Sequence, residues 1–139
     1  NKCIFTNNSS SRGGALYIRS TGSYTIDSSL IVNNTSSGAG GGGIFNAGVT
    51  SLVIRQSTIS ANVATGTGRG VNGAINNLVN SIICDHASSN LSQNPTTSTN
   101  SLFSTGTVAC STAPAGAGAG GKSRAPPPPY PRHGEPQAL

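Results

Sequence analysis

Ser29-Leu30-Ile31-Val32-Asn33-Asn34 (SLIVNN) decides how the whole chain is read, because variants of it recur. Set beside CIFTNN (Cys3 to Asn8), STISAN (Ser57 to Asn62) and SIICDH (Ser81 to His86), it falls into columns. Phe5, Ile31, Ile59 and Ile83 share one column; Asn8, Asn34, Asn62 and His86 share another. Successive units stand 26, 28 and 24 residues apart. Recurrence at roughly 20 to 50 residues is the mark of a repeat architecture.

Two further columns lie between these units. GGALYI (Gly13 to Ile18), GGIFNA (Gly42 to Ala47) and NGAINN (Asn72 to Asn77) place Leu16, Phe45 and Ile75 together. Eight residues before each later Asn or His position stand Ile26, Ile54 and Leu78. Each repeat thus holds three short apolar-polar alternations separated by Gly, Ser and Asn turns, a period of two that signals strands. Abundant Gly, Ser, Thr, Asn and β-branched residues disfavour helix. The expected fold is all-β: a right-handed, single-stranded parallel β-helix of about three to four coils.

In such a fold each strand pairs with its counterpart about 4.8 Å away in the next coil, so equivalent side chains stack. Inward columns must be apolar because they fill the interior. A turn column of Asn can form a ladder of amide hydrogen bonds, which His86 is expected to interrupt. Outward Asp27 falls opposite outward Arg55, a favourable cross-strand pair that checks the register.

The glycine run GAGGGGIFN (Gly38 to Asn46) begins with G-x-G-x-x-G, the pattern of dinucleotide-binding loops. Gly68 to Gly73 repeats the pattern one unit later. A cofactor loop would not recur coil by coil. The glycines are read as corner residues supplying positive φ, with Phe45 pointing inward from the next wall. No cofactor is expected.

Phe5-Thr6-Asn7-Asn8 and Gly13-Gly14-Ala15-Leu16 resemble, in order, the FxxN and GGA[ILV] repeats of the polymorphic outer-membrane protein family of autotransported bacterial surface proteins. The resemblance covers about residues 1 to 90 and implies a surface-displayed parallel β-helix. Later units depart from it: Ile31 and Ile59 replace the Phe, Gly42-Gly43-Ile44 lacks the Ala, and Asn72-Gly73-Ala74-Ile75 lacks the first Gly. The fold also hosts adhesins and polysaccharide lyases, so it does not fix a function by itself.

Charged residues make up only 8% of the chain, so its polar surface must be built from hydroxyls and amides. The net charge is +5, but the cations are scattered singly, without the stripe or aromatic platform of a nucleic-acid binder. No apolar run approaches the roughly 20 residues that cross a bilayer. With no methionine, the chain reads as a fragment or processed product. Residues 1–110 are assigned to the β-helix, and residues 111–139, rich in Gly and Pro, to a disordered tail.

Several motifs invite chemistry. GAGAGGKS (Gly116 to Ser123) matches the P-loop pattern but runs into Pro126 to Pro129, where no helix can begin. PPPY (Pro127 to Tyr130) resembles a WW-domain ligand and is read as a spacer. Asp27, Asp85 and Glu135 are too dispersed for a glycosidase pair or a calcium cage. In Cys84-Asp85-His86, alternation turns Asp85 away and leaves two ligands where structural zinc needs four. Catalytic and metal sites are therefore not expected. Cys84 and Cys110 are a candidate disulfide, which leaves Cys3 over. Matches to N-x-[ST] at Asn7, Asn8, Asn33, Asn34 and Asn90 arise by chance in so Asn- and Ser-rich a chain.

The sequence supports a non-enzymatic, extracellular or cell-surface β-helix segment serving as an adhesin-like element or stalk. Its expected partners are cell-surface glycans or proteins and neighbouring coils of a longer chain. The alternative is a carbohydrate-binding or pectate-lyase-like β-helix whose active-site coils lie elsewhere; outward placement of both Tyr17 and Tyr24 on one face would favour carbohydrate binding. Open coil ends expose unpaired strand edges. The isolated chain should accordingly be marginally stable or associate end to end, and a sharp, concentration-independent melting transition of a monomer would refute this.

Overall fold

The computed structural model describes residues 2–38, 40–103, 105 and 106. The first coil holds strands β1 (Ile4–Thr6), β2 (Ser9–Ser10), β3 (Leu16–Ile18) and β4 (Ser23–Asp27). The second repeats them as β5 (Leu30–Val32), β6 (Thr35–Ser36), β7 (Ile44–Asn46) and β8 (Ser51–Arg55). The third is β9 (Thr58–Ser60), β10 (Val63–Ala64), β11 (Val71–Asn72) and β12 (Asn77–Val79). A shorter fourth keeps β13 (Ile82–Cys84) and β14 (Thr97–Thr99), after which β15 (Leu102–Phe103) continues the stack. Every pairing is parallel and joins a strand to its counterpart one coil away, so the fold is a parallel β-solenoid.

Each full coil has four strands rather than the expected three. The extra strand, represented by β2, β6 and β10, is two residues long. So short a segment cannot display an alternation in sequence. In the fourth coil β11 has only an isolated bridge, Val71 to Leu91, as its counterpart.

Phe5, Ile31, Ile59, Ile83 and Phe103 pair in one column, and Ile26, Ile54 and Leu78 in another. Ile31, Ile54, Ile59, Leu78 and Ile83 are fully buried. The third column differs from the sequence reading, which grouped Leu16, Phe45 and Ile75. Leu16 pairs with Ile44 and Ile44 with Val71, while Phe45 pairs with Tyr17 on the outer face. Ile75 is buried in the segment between β11 and β12. Glycines carry no side chains from which the register of this corner could be read. It is set by the backbone, through Gly14 N–H to Gly41 O at 3.0 Å and Gly41 N–H to Gly68 O at 3.1 Å. Gly68 therefore stacks on Gly41, not on Gly38.

Three corners per coil rest on left-handed residues. Gly13, Gly41 and Gly68 have φ near +60° (+61°, +65° and +59°). Asn7, Asn33, Ala61 and Asp85 turn the second corner, and Ser28, Gln56, Asn80 and Asn100 the third, all with positive φ. Outside glycine this conformation is uncommon, and it is easiest for Asn and Asp.

The residue after each non-glycine corner carries an internal ladder. Asn8 Nδ2 donates to Asn34 Oδ1 at 2.9 Å, and Asn34 Nδ2 to Asn62 Oδ1 at 2.9 Å. Each acceptor oxygen also receives the backbone N–H of the preceding Asn, at 3.0 Å from Asn8 and 2.9 Å from Asn34. Asn62 Nδ2 reaches the Ile31 carbonyl at 2.9 Å. Contrary to expectation, His86 extends the ladder: its Nε2 lies 3.3 Å from Asn62 Nδ2. At the other corner Ser29, Ser57 and Ser81 donate their backbone N–H to the hydroxyls of Ser57, Ser81 and Ser101 at 3.1, 3.2 and 3.1 Å. Those hydroxyls donate to Arg55, Val79 and Thr99 carbonyls.

These contacts satisfy backbone groups that the sharp corners remove from the sheets, and a buried unpaired group costs about 1–3 kcal/mol. Replacing Asn62 with Leu strands the Asn34 N–H and His86 Nε2 together. Asn62→Leu should therefore lower unfolding stability by more than about 3 kcal/mol. Ser98→Ala, at an exposed position of β14, should change it by less than about 0.5 kcal/mol; urea titration of the two variants measures the contrast.

Candidate binding surface

On the outer face of the third sheet, formed by β3, β7 and β11, Tyr17 stands beside Phe45 with ring centroids 5.5 Å apart and planes at 77°. This edge-to-face contact is a favoured aromatic geometry and fixes the Tyr17 ring. Tyr17 remains 42% exposed, enough to offer a surface to a ligand. Arg19, two residues on and also exposed, projects to the same side of the chain. Across the preceding corner lies Arg12. Ser10 Oγ accepts the Arg12 N–H at 3.2 Å and approaches the Arg12 carbonyl at 2.7 Å, pinning that turn. Ser10, Ser11, Arg12, Tyr17, Arg19 and Gly38 line one open groove.

The ion pair among the described residues is Arg55 to Asp27, at 3.0 Å, across the pairing of β4 with β8. The Arg55 hydrogen bond holds the Asp27 carboxyl below its usual value. Arg12 and Arg19 have no carboxylate partner among the described residues. The groove is thus electropositive and carries an aromatic side chain. Tyr24, by contrast, pairs with Leu52 in an inward column, packs against the core, and shares a hydrogen bond with Ser20 Oγ. The two tyrosines do not share an outer face.

The other motifs are absorbed by the coil. Gly41 and Gly43 N–H groups donate to the carbonyls of Gly68 and Arg69, at 3.1 and 2.9 Å, and are not free to hold a phosphate. Within Cys84-Asp85-His86, Cys84 is buried and disulfide-bonded, Asp85 turns the corner, and His86 is buried. Cys110, the other half of the expected bridge, lies outside the described residues, as do the P-loop match, the PPPY stretch and Glu135. Cys3 is a free, exposed thiol. Among the described residues no three His, Cys, Asp or Glu side chains gather as a metal site, and no helix is long and apolar enough to cross a membrane. Asn34 and Asn90 are fully buried, so those sequons are closed to modification.

Sequence reasoning missed two features. The serine column was visible at Ser29, Ser57 and Ser81, but its role depends on the corner geometry. Tyr17 and Arg19 have the spacing of one strand face, yet placing Arg12 beside them requires the fold of the glycine corner. Comparison with known protein families, curated proteins and solved structures finds no match to this chain.

His86 supplies a pH dependence. Because Asn62 Nδ2 is a donor, His86 Nε2 must accept; Nδ1–H then donates to Asn90 Oδ1 at 2.7 Å. Protonation would set a donor against a donor. Burial pushes the imidazole below its ordinary value, and nearby Arg69 adds to this, while the Asn90 bond and Asp85 oppose it. The unfolded chain therefore takes up the proton first. Stability is complete above the unfolded value of about 6.5 and declines as pH falls below it, by at most about 1.4 kcal/mol per pH unit. His86→Asn, which restores an amide to the ladder, should flatten thermal-midpoint curves between pH 5 and 7.

Proposed function

We propose that this chain is a non-enzymatic solenoid segment, extracellular or displayed at a cell surface, that presents its outer faces for adhesion on a rigid stalk. The observation that carries this reading is the disulfide at buried Cys84 in a coil whose corners are locked by amide and hydroxyl ladders. Disulfides persist in oxidising compartments, and ladders suit a chain that must hold its shape outside the cell.

The observed register also supports kinship with polymorphic outer-membrane repeats. With Gly41 stacked on Gly68, the second glycine corner reads Gly41-Gly42-Gly43-Ile44, closer to GGA[ILV] than the sequence alignment suggested. The FxxN pattern acquires a physical meaning: its first position fills the core and its Asn is a rung of the ladder. Against a lyase or hydrolase stands the placement of the described carboxylates, Asp27 in an ion pair and Asp85 at a corner.

Protease shaving of intact cells that express the complete reading frame tests the proposal. Peptides of residues 2–106 should be released from the surface, with Cys84 oxidised. Recovery of the protein only inside the cell with Cys84 reduced would overturn it.

A further inference from the structure

We propose that the groove at the first glycine corner is a subsite for a linear acidic glycan, with the C–H face of a sugar ring against Tyr17 and its carboxylate or sulfate group on Arg12 and Arg19. This inference rests on the reading of the chain as an extracellular adhesive solenoid, and adds to it the chemical class of the ligand.

Three properties converge on that class. First, the two guanidiniums lack carboxylate partners among the described residues, whereas Arg55 is paired. A guanidinium presents a planar fork of donors that matches an anionic oxygen pair, and it remains charged at any physiological pH. A neutral sugar would leave both charges without a counterpart. Second, Tyr17 is held from one side by Phe45 while nearly half its surface stays open. A fixed aromatic ring of this kind contributes contact area at little entropic cost. Third, the groove is prepared before binding. Ser10 Oγ ties down the Arg12 turn, Gly13 sets the corner with φ +61°, and the strand pairing of Tyr17 with Phe45 fixes the base of Arg19.

Single-stranded nucleic acid also combines anionic groups with flat rings, but its channels use successive aromatic platforms. Here the next residue in the Tyr17 column is half-buried Phe45, which meets Tyr17 edge to face, and the one after it is Asn72. One open ring flanked by two cations suits a single charged sugar better than a run of bases.

Calorimetric titration of the full 139-residue chain with four probes tests the proposal: a heparin oligosaccharide, an oligogalacturonate, a maltooligosaccharide and an oligo-dT of matching charge. The expected result is binding of the sulfated or the carboxylated glycan, whichever is the better source of the anion, and none of the neutral one. Arg12→Ser and Arg19→Ser should each weaken that binding at least tenfold with melting curves unchanged, and Tyr17→Ala, which also removes the Phe45 contact, about fivefold. Arg55→Gln, which removes the same charge elsewhere, should leave it unaltered. Equal affinity for oligo-dT, equal weakening by Arg55→Gln, or binding of neither acidic glycan would overturn the proposal. A displayed chain that ignores both acidic glycans sinks this inference alone. A chain that binds them but stays in the cytosol sinks the surface reading alone.

Discussion

A parallel solenoid must turn its chain sharply several times per coil, and every such corner takes backbone groups out of the sheets without returning them to water. The constraint on which this structure depends is the satisfaction of those groups. Stacked Asn side chains do it at one corner and stacked Ser hydroxyls at another, because each can accept from one coil while donating within or beyond its own. The apolar columns fill the interior, but the ladders fix which residue of each coil faces which. A one-residue slip would bury outward side chains and break both ladders together.

Stacking also explains why so few charges appear. Equivalent outward positions lie one strand spacing apart, where a column of like charges would repel and a column of hydroxyls or amides does not. Among the described residues the facing charges of adjacent coils, Asp27 and Arg55, have opposite signs. Arg12 and Arg19 stand outside this economy: neither is neutralised by a neighbouring coil, and both open onto the same groove as Tyr17. A scaffold that otherwise avoids charge thus presents two of its unpaired cations at a corner held by Ser10 and Gly13.

His86 shows how a departure from a repeat can be structural. An imidazole replaces the amide rung yet keeps both hydrogen bonds, accepting on one nitrogen and donating from the other. That substitution works only while the ring is neutral, so the ladder that stiffens the coil also becomes sensitive to acid. The close passage of Gly70, where an added Cβ would lie 2.7 Å from His86 Cε1, leaves the ring little room to turn away.

Periodicity along the chain was enough to determine the solenoid, the Ile31 and Ile54 columns, the Asn rungs and the Asp27–Arg55 register. Each of these depends on side chains that repeat at like positions, so the information is local and additive. The glycine corner was not legible in the same way. Its residues have no side chains to align, and the true register of Leu16 with Ile44, rather than Phe45, is set by hydrogen bonds between coils. For the same reason the two-residue strands were hidden, and the binding surface emerged only once Arg12, Tyr17 and Arg19 were brought to one groove. Sequence by itself determined what stacks upon what in the repeating walls; tertiary structure alone decided the corners, because there the backbone, not the side chain, carries the specificity.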